Sequence, residues 1–569
     1  MTATQADYLA RLNAAQGKID CDWILEGGQV LDVFSGRWKK ADLAFHAGVI
    51  VGLDENLRAR GVRSKRVLDV RGKWLVPGFI DAHVHVESSC LVPSHFQNAV
   101  LPRGTTTAIC DPHELANVQG VSGLRYFLEQ SETLALDLRV MLSSCVPATH
   151  LETNGGGTLS AADLLPLAHH PKALGLAEMM NVPGVLGGDP SILEKLDGFS
   201  GRPIDGHAPL LSGPALSAYA AVGISSCHES SELEEAREKL SKGIAVWIRE
   251  GSVAKDLDAL IPLLDESSSP ALGFCTDDRN PLDILTEGHV DHLVRQALKK
   301  GVRPEAAFRA ASWSVARHYG LDLGWNRVGA LAPGYLADLI VLDDVATCAL
   351  GQVFKGGVPV DEIELARSVA QKALNSIRCT IPAAEDLVGP SGQVHVIGAE
   401  HGKIITTRTV EAHDAPGVAR LSVLERHGRG FKPANGYVRG FGAGLRGAIA
   451  SSVGHDSHNL IAVGDCPSDL AAAMASLAEC GGGFSVVRDG KVLARLELPM
   501  GGLMSESDPQ TLKEKLVALK EASRSIGCEL PEPFLQLAFL SLPVIPSLKL
   551  TDQGLVDVDQ FKIIDVRAS

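Results

Sequence analysis

The chain reads as an α/β protein centred on a (β/α)8 TIM-like barrel, with a small composite β-sandwich beside it and a C-terminal α/β or α+β domain. Two observations carry that reading. Between residues 73 and 320, short apolar, β-branched runs alternate with amphipathic stretches of helical length, the pattern of a parallel α/β fold. The runs number eight, at which such a sheet closes on itself. They lie at Leu75 to Val86, Thr105 to Asp111, Leu138 to Ser144, Ala173 to Met179, Pro203 to His207, Gly223 to His228, Ile244 to Arg249 and Leu272 to Asp277. Helices are expected between them at Val121 to Ser131, Ala161 to His169, Ser191 to Leu196, Gly213 to Ala221, Ser231 to Lys242 and Ala254 to Asp265. Two more, Asp291 to Lys300 and Pro304 to Tyr319, follow the last strand.

A barrel of this kind gathers its chemistry at the C-terminal ends of its strands. The first run ends Asp81-Ala82-His83-Val84-His85, and because residues i and i+2 of a strand face the same way, both imidazoles can reach one cation. The second ends Asp111-Pro112-His113-Glu114, the fourth carries Glu178, the fifth ends on His207, the sixth on His228-Glu229 and the eighth on Asp277-Asp278. Six of the eight tips thus carry His, Asp or Glu directly after an apolar run. Any one of them alone reads as an ordinary loop charge.

Taken together, four histidines and two carboxylates can hold two divalent cations. His83, His85 and Asp277 suit one ion, His207 and His228 the other, and Glu178 can span both with its two oxygens. Two ions roughly 3.5 to 4 Å apart acidify a water that bridges them, so hydroxide forms near neutral pH. Nitrogen and oxygen ligands favour manganese or iron(II) and admit zinc. Asp277, beside that hydroxide, can also take its proton and pass it to a leaving group.

Composition narrows the partners. With 53 basic against 68 acidic residues the 569-residue chain carries a net charge of −15, and no basic block offers a surface to nucleic acid. No apolar run is long enough to span a membrane, and the stretch from Met1 to Lys18 lacks the apolar core of a signal peptide, so the cytoplasm is the expected compartment. The eleven cysteines contain no Cys-x-x-Cys pair, which points to reduced, buried thiols and leaves metal binding to imidazole and carboxylate. The length implies two or three domains. Their expected limits are 1–72 and 321–384 for the two parts of the β-sandwich, 73–320 for the barrel and 385–569 for the C-terminal domain.

The stretch from Pro77 to His85, with Glu178, His207, His228 and Asp277 at later strand tips, resembles the amidohydrolase superfamily. His85-Val86-Glu87-Ser88-Ser89, Cys110 to Glu114, Ala177 to Asn181, Cys275 to Arg279, Ala450 to Asn459 and Gly501 to Ser505 are similar to the adenine deaminase family within it, over nearly the whole chain. The resemblance implies an amidohydrolase-type barrel and hydrolytic deamination of adenine to hypoxanthine and ammonia in purine salvage, by a metal-bridged hydroxide attacking C6. It departs from adenosine-deaminase-like members, whose His-Ala-Gly-Glu run is replaced here by His207-Ala208-Pro209-Leu210. The H-x-E and P-C-x-x-C elements of thiolate-zinc nucleobase deaminases do not occur either. A homo-oligomer, a dimer, is the expected assembly.

The implied reaction needs two proton moves, to ring N1 and to the departing amino group. Glu178 and Asp277 are the expected shuttles. His228, or His113, is placed to position the hydroxide, and Asp111, His113, Glu114 and Asp278 are left for purine contacts, with pairing of Asp278 to Arg279 or a helix cap as the plain alternative. His455, Asp456 and His458 read as a hydrogen-bonded turn. A spacing of three would not aim both histidines at one ion along a strand, so they stay outside the metal set. Two other functions remain open at this stage: a two-metal amidohydrolase acting on another nucleobase or a cyclic amide, and a barrel that has lost catalysis and serves as an interaction protein.

Overall fold

The computed structural model describes residues 4–365, 376–430 and 432–568. Eight parallel strands follow in chain order: Phe79–Val84, Thr105–Cys110, Asp137–Leu142, Ala173–Met179, Ile204–Gly206, Ser226–Cys227, Ala245–Arg249 and Leu272–Cys275. A parallel bridge between Val84 and Asp277 joins the last to the first, so the sheet closes as the apolar runs foretell. All six residues of each of the first two strands are buried, as expected where helices cover one face and packed side chains fill the other.

The expected first strand, Leu75 to Val86, is in fact two. Trp74–Pro77 belongs to the flanking sheet, antiparallel to Leu339–Asp344, and the chain crosses into the barrel at Gly78. A Cβ at Gly78 would stand 2.3 Å from Thr106 Oγ1, so only glycine lets the two sheets come this close. His85 lies one residue past the strand but keeps an extended backbone, which preserves its alternation with His83.

Helices Val121–Ser131 and Gly213–Ala221 fall where the periodicity places them. Others are shorter than expected, and proline is the reason: Pro166 and Pro262 cut their stretches to Ala161–Leu164 and Leu257–Leu260, each followed by a 3-10 turn. The long helix expected from Pro304 to Tyr319 breaks into Pro304–Ala310 and Trp313–His318.

The strands before the barrel and those after it join in one eight-stranded sheet, running from Val358–Pro359 through Ala349–Lys355, Leu339–Asp344, Trp74–Pro77 and Cys21–Asp32 to Arg37–His46 and Val49–Asp54, with Ser64–Asp69 also paired to Cys21–Asp32. Cys21–Asp32 changes parallel partner at its Gly27-Gly28 irregularity, so one strand serves both halves. Of the expected return segment 321–384, residues 366–375 lie outside the described residues, as do 1–3 of the N-terminal segment.

After the barrel comes a third eight-stranded sheet, drawn from residues 393–497 and covered by helices Pro467–Cys480 and Pro509–Ser525, then a three-stranded sheet from 548 to 564. This C-terminal part docks over the barrel mouth. Thr551 donates its hydroxyl to the Leu151 carbonyl at 2.6 Å, and the Asn459 amide donates to the Thr153 carbonyl at 2.8 Å. No helix among the described residues is long and apolar enough to cross a membrane.

Candidate metal centre

The tips of strands one, four, five, six and eight bring His83, His85, Glu178, His207, His228 and Asp277 together, all buried. His83 Nε2 and His85 Nε2 lie 3.1 Å apart. Around that pair stand Glu178 Oε1, 3.8 and 3.4 Å away, and Asp277 Oδ1, 3.5 and 3.2 Å away. The other Glu178 oxygen faces His207 Nδ1 at 2.6 Å and His228 Nε2 at 3.3 Å.

This donor set fits divalent cations. His85 Nδ1 donates to the Asp111 carbonyl at 2.8 Å, which fixes the tautomer and turns the Nε2 lone pair inward. A second inward lone pair from His83 cannot be satisfied by the first, whereas a cation between the two imidazoles and two carboxylates satisfies all four. His207 Nε2, also buried, has no hydrogen-bond partner among the described residues. Asp277 has a left-handed backbone, φ 53°, held by its N–H donating to the His83 carbonyl and its own carbonyl accepting from the His85 N–H. A non-glycine residue in that region costs energy, and the two bonds to strand one hold the carboxylate in place against it.

Charge is balanced from the neighbouring tips. Arg249, at the end of strand seven, donates to Asp277 Oδ2 at 3.0 Å, pairs with Asp256 Oδ2 at 2.8 Å and grips Glu229. Burial pushes Asp277 up, but the facing imidazoles of His83 and His85 and the field of Arg249 outweigh it and hold its carboxyl well below the usual range. Burial likewise opposes ionisation of Glu178, and hydrogen bonds from His113 and His207 overcome it. Both carboxylates are therefore anionic at neutral pH.

Of the residues expected at the substrate, His113 and Asp278 line the cavity beside the metal set. Asp111 and Glu114 stand behind that lining. Asp111 Oδ2 accepts from His113 Nδ1 at 3.1 Å and Oδ1 accepts from the Ser143 hydroxyl at 2.7 Å, while the Ser88 hydroxyl sits 2.7 Å from Glu114 Oε1 and 2.5 Å from Asp278 Oδ1. Asp278 neither pairs with Arg279, which reaches Glu287 at 2.6 Å, nor caps a helix, a place taken by Asn280.

Two groups escaped the sequence reading. Arg249 is one, because a cation at a tip is not a metal ligand; its place at the end of an apolar run was the available clue. The second is the turn at 455–458. It forms as expected, yet it brings His455 and Asp456 to the cavity wall, with Ile404, Phe539, Leu542 and Ile545 from the same C-terminal part. His113 Nε2 lies 3.7 Å from Asp456 Oδ1, and His113 with His455 and Asp456 forms a further cluster of potential ligands. His458 packs its ring edge-on against His455, with centroids 5.4 Å apart, and its Nε2 lies 4.0 Å from Glu114 Oε2.

Comparison with known proteins gives concordant matches. Residues 74–371 match the amidohydrolase family, and residues 400–562 match the adenine deaminase C-terminal domain. An adenine deaminase from Cereibacter sphaeroides is 50% identical over 567 residues, spanning 97% of this chain and 98% of the relative. One from Methylobacterium nodulans is 48% identical over 98% of this chain and all of its own length. Among solved structures, an adenosine deaminase from Xanthomonas campestris with bound zinc aligns with 60% of this chain and 93% of its own, at 15% identity and a TM-score of 0.44.

Proposed function

Because the chain belongs to the adenine deaminase family of the amidohydrolases, we propose that its barrel mouth hydrolyses adenine to hypoxanthine and ammonia. The observation that carries this reading is the convergence of four imidazoles and two carboxylates from five strand tips on one buried site, with the two oxygens of Glu178 facing the four imidazoles. His83, His85 and Asp277 would hold one divalent ion and His207 and His228 a second, with Glu178 between them; manganese or iron(II) is favoured and zinc is admitted by the same donors. Such ions, when bound, make a water molecule acidic enough to act as a nucleophile near neutral pH.

The chain's own groups then move the protons. Glu178 and Asp277, anionic and buried, carry two protons in turn: the one the attacking water loses goes to ring N1, and the one the new C6 hydroxyl loses as it becomes a carbonyl goes to the amino group, which leaves as ammonia. Arg249 keeps Asp277 aimed by holding its second oxygen. His228 and His113 orient the nucleophile. His113 is kept in place by Asp111, so Asp111 is assigned to positioning that imidazole and not to touching the base. Asp278, on the cavity wall, remains a purine contact.

The division is proposed with this reading at residues 78, 320 and 384, the first moved from 72 because Trp74–Pro77 pairs in the flanking sheet, and a dimer and a cytoplasmic setting are proposed with it. A spectrophotometric screen of adenine, guanine, cytosine, hydantoin and dihydroorotate with manganese-loaded protein tests the function. Turnover of adenine above all others is expected; preference for guanine or a cyclic amide would reassign the substrate.

A further inference from the structure

The C-terminal part contributes a polar edge to a cavity whose floor is the metal set. His455 is 2% exposed and its ring lies flat on Phe539, with centroids 4.8 Å apart and planes at 12°. Its Nδ1 faces Asp456 Oδ1 at 3.5 Å. What remains is unused: His455 Nε2 and Asp456 Oδ2 are both buried and have no hydrogen-bond partner among the described residues, although both residues line the cavity. Buried polar atoms left unpaired are costly, so an unpaired donor and acceptor on consecutive residues of one cavity wall mark the place of a ligand that supplies the complementary pair.

Their place fits one edge of a purine. Asp456 lies beyond His113, whose Nδ1 is 3.1 Å from Glu178 Oε1 and whose Nε2 is 3.7 Å from Asp456 Oδ1, so one imidazole separates it from the metal set. A base with C6 at the floor presents its far edge to this wall, and that edge carries an acceptor, N3, next to a donor, the N–H at N9. Resting on the adenine reading above, we propose that His455 and Asp456 recognise this edge. His455 Nε2–H donates to N3, and Asp456 Oδ2 accepts from N9–H.

The charge states agree. Burial works against a cationic His455, but Asp278 and Asp456 outweigh it and lift it to about 9, so both ring nitrogens carry protons. Burial also opposes ionisation of Asp456, and the neighbouring His113 and His455 overcome it. The pair then selects a base bearing hydrogen at N9 and rejects one substituted there, since a substituent removes the donor and leaves the carboxylate unpaired.

The test uses metal-loaded full-length protein with adenine and 9-methyladenine as paired substrates, for the wild type and for Asp456→Asn, His455→Leu and His455→Gln. Asp456→Asn is expected to cut kcat/KM for adenine about tenfold to hundredfold, chiefly through KM, while sparing 9-methyladenine, so that discrimination between the two shrinks. His455→Leu should raise the adenine KM to a similar extent, and His455→Gln, which restores a donor, should recover part of it. Two metal ions per chain should persist in every variant. Equal losses on both substrates, or a fall in kcat at unchanged KM, would overturn the proposal. So would three ions per chain dropping to two in His455→Leu, because the cluster would then be a cation site. A wild type that ignores adenine would instead strike the functional reading, and equilibrium dialysis of adenine against 9-methyladenine would still decide whether the wall prefers a free N9–H.

Discussion

Replacing Lys549 with methionine should change stability by an amount that depends on pH, in a direction set by where its amine sits. Lys549 lies on the strand Leu548–Thr551, is fully buried, and donates to the carbonyls of Ile404 at 2.8 Å and Phe539 at 2.9 Å, two residues of the cavity wall. Burial pushes its pKa from 10.5 down to about 7. A fall of that size is worth roughly 5 kcal/mol of lost preference for the charged form. Between pH 7 and 10.5 the unfolded chain therefore binds the proton that the folded chain has released, and the wild type gains stability with rising pH; below pH 7 both states are protonated and the gain is absent. Lys549→Met abolishes this titration and orphans two carbonyls at a cost of about 1–3 kcal/mol each. The wild type's advantage over the variant should accordingly be roughly 2.7 kcal/mol larger at pH 9 than at pH 6. At roughly 2–4 °C per kcal/mol for a domain of this size, the gap between their unfolding midpoints should widen by about 5–10 °C. Thermal scans of both metal-loaded proteins by circular dichroism at the two pH values measure it, and effects of pH on metal affinity cancel in the difference. A gap that stays constant or narrows would show that the amine is not buried in charge-unfavourable surroundings, and the account of how Ile404 and Phe539 are held would fall with it.

Three further outcomes follow from the metal set. Glu178→Gln should lower kcat on adenine by about 10³-fold with the far-ultraviolet spectrum unchanged; near wild-type turnover would remove Glu178 from proton transfer. Exhaustive chelation should abolish deamination, and manganese or iron(II) should restore it, whereas full activity in protein shown by elemental analysis to be metal-free would contradict the reading. Arg249→Met leaves Glu229, Asp256 and Asp277 buried without their shared cation, a loss of about 3–5 kcal/mol that denaturant titration of the metal-loaded protein should register, and an unshifted midpoint would argue against it.

What the chain discloses by itself follows from which physical rules act along it and which act across it. Alternation on a strand acts along the chain, so His83 and His85 are legible as a pair, and the apolar runs that must be buried on both sides mark all eight barrel strands. The same rule cannot see the boundary at Gly78, because Trp74–Pro77 and Phe79–Val84 are both apolar and extended, and only the missing Cβ against Thr106 separates two sheets. The two tips without His or carboxylate looked silent. Strand three in fact supplies Ser143 to Asp111 and Ser144 to the Glu178 carbonyl, and strand seven supplies Arg249 to Asp277. Hydroxyl and guanidinium groups are too common on loops to stand out until the carboxylate they serve is placed.

The turn at His455 fails to register for a different reason. Setting it aside because its histidines are three apart applies a strand's geometry to a segment with none, and in a turn the spacing carries no direction. Its side chains reach the cavity because the C-terminal part is seated on the barrel through contacts such as Thr551 to Leu151 and Asn459 to Thr153, each joining positions hundreds of residues apart by way of a backbone carbonyl. Every residue offers such a carbonyl, so the docking that sets His455 and Asp456 opposite Glu178 leaves no mark in residue type. A ligand set built within one barrel is readable from the chain, while a recognition edge delivered by a second domain becomes readable only once the two are folded together.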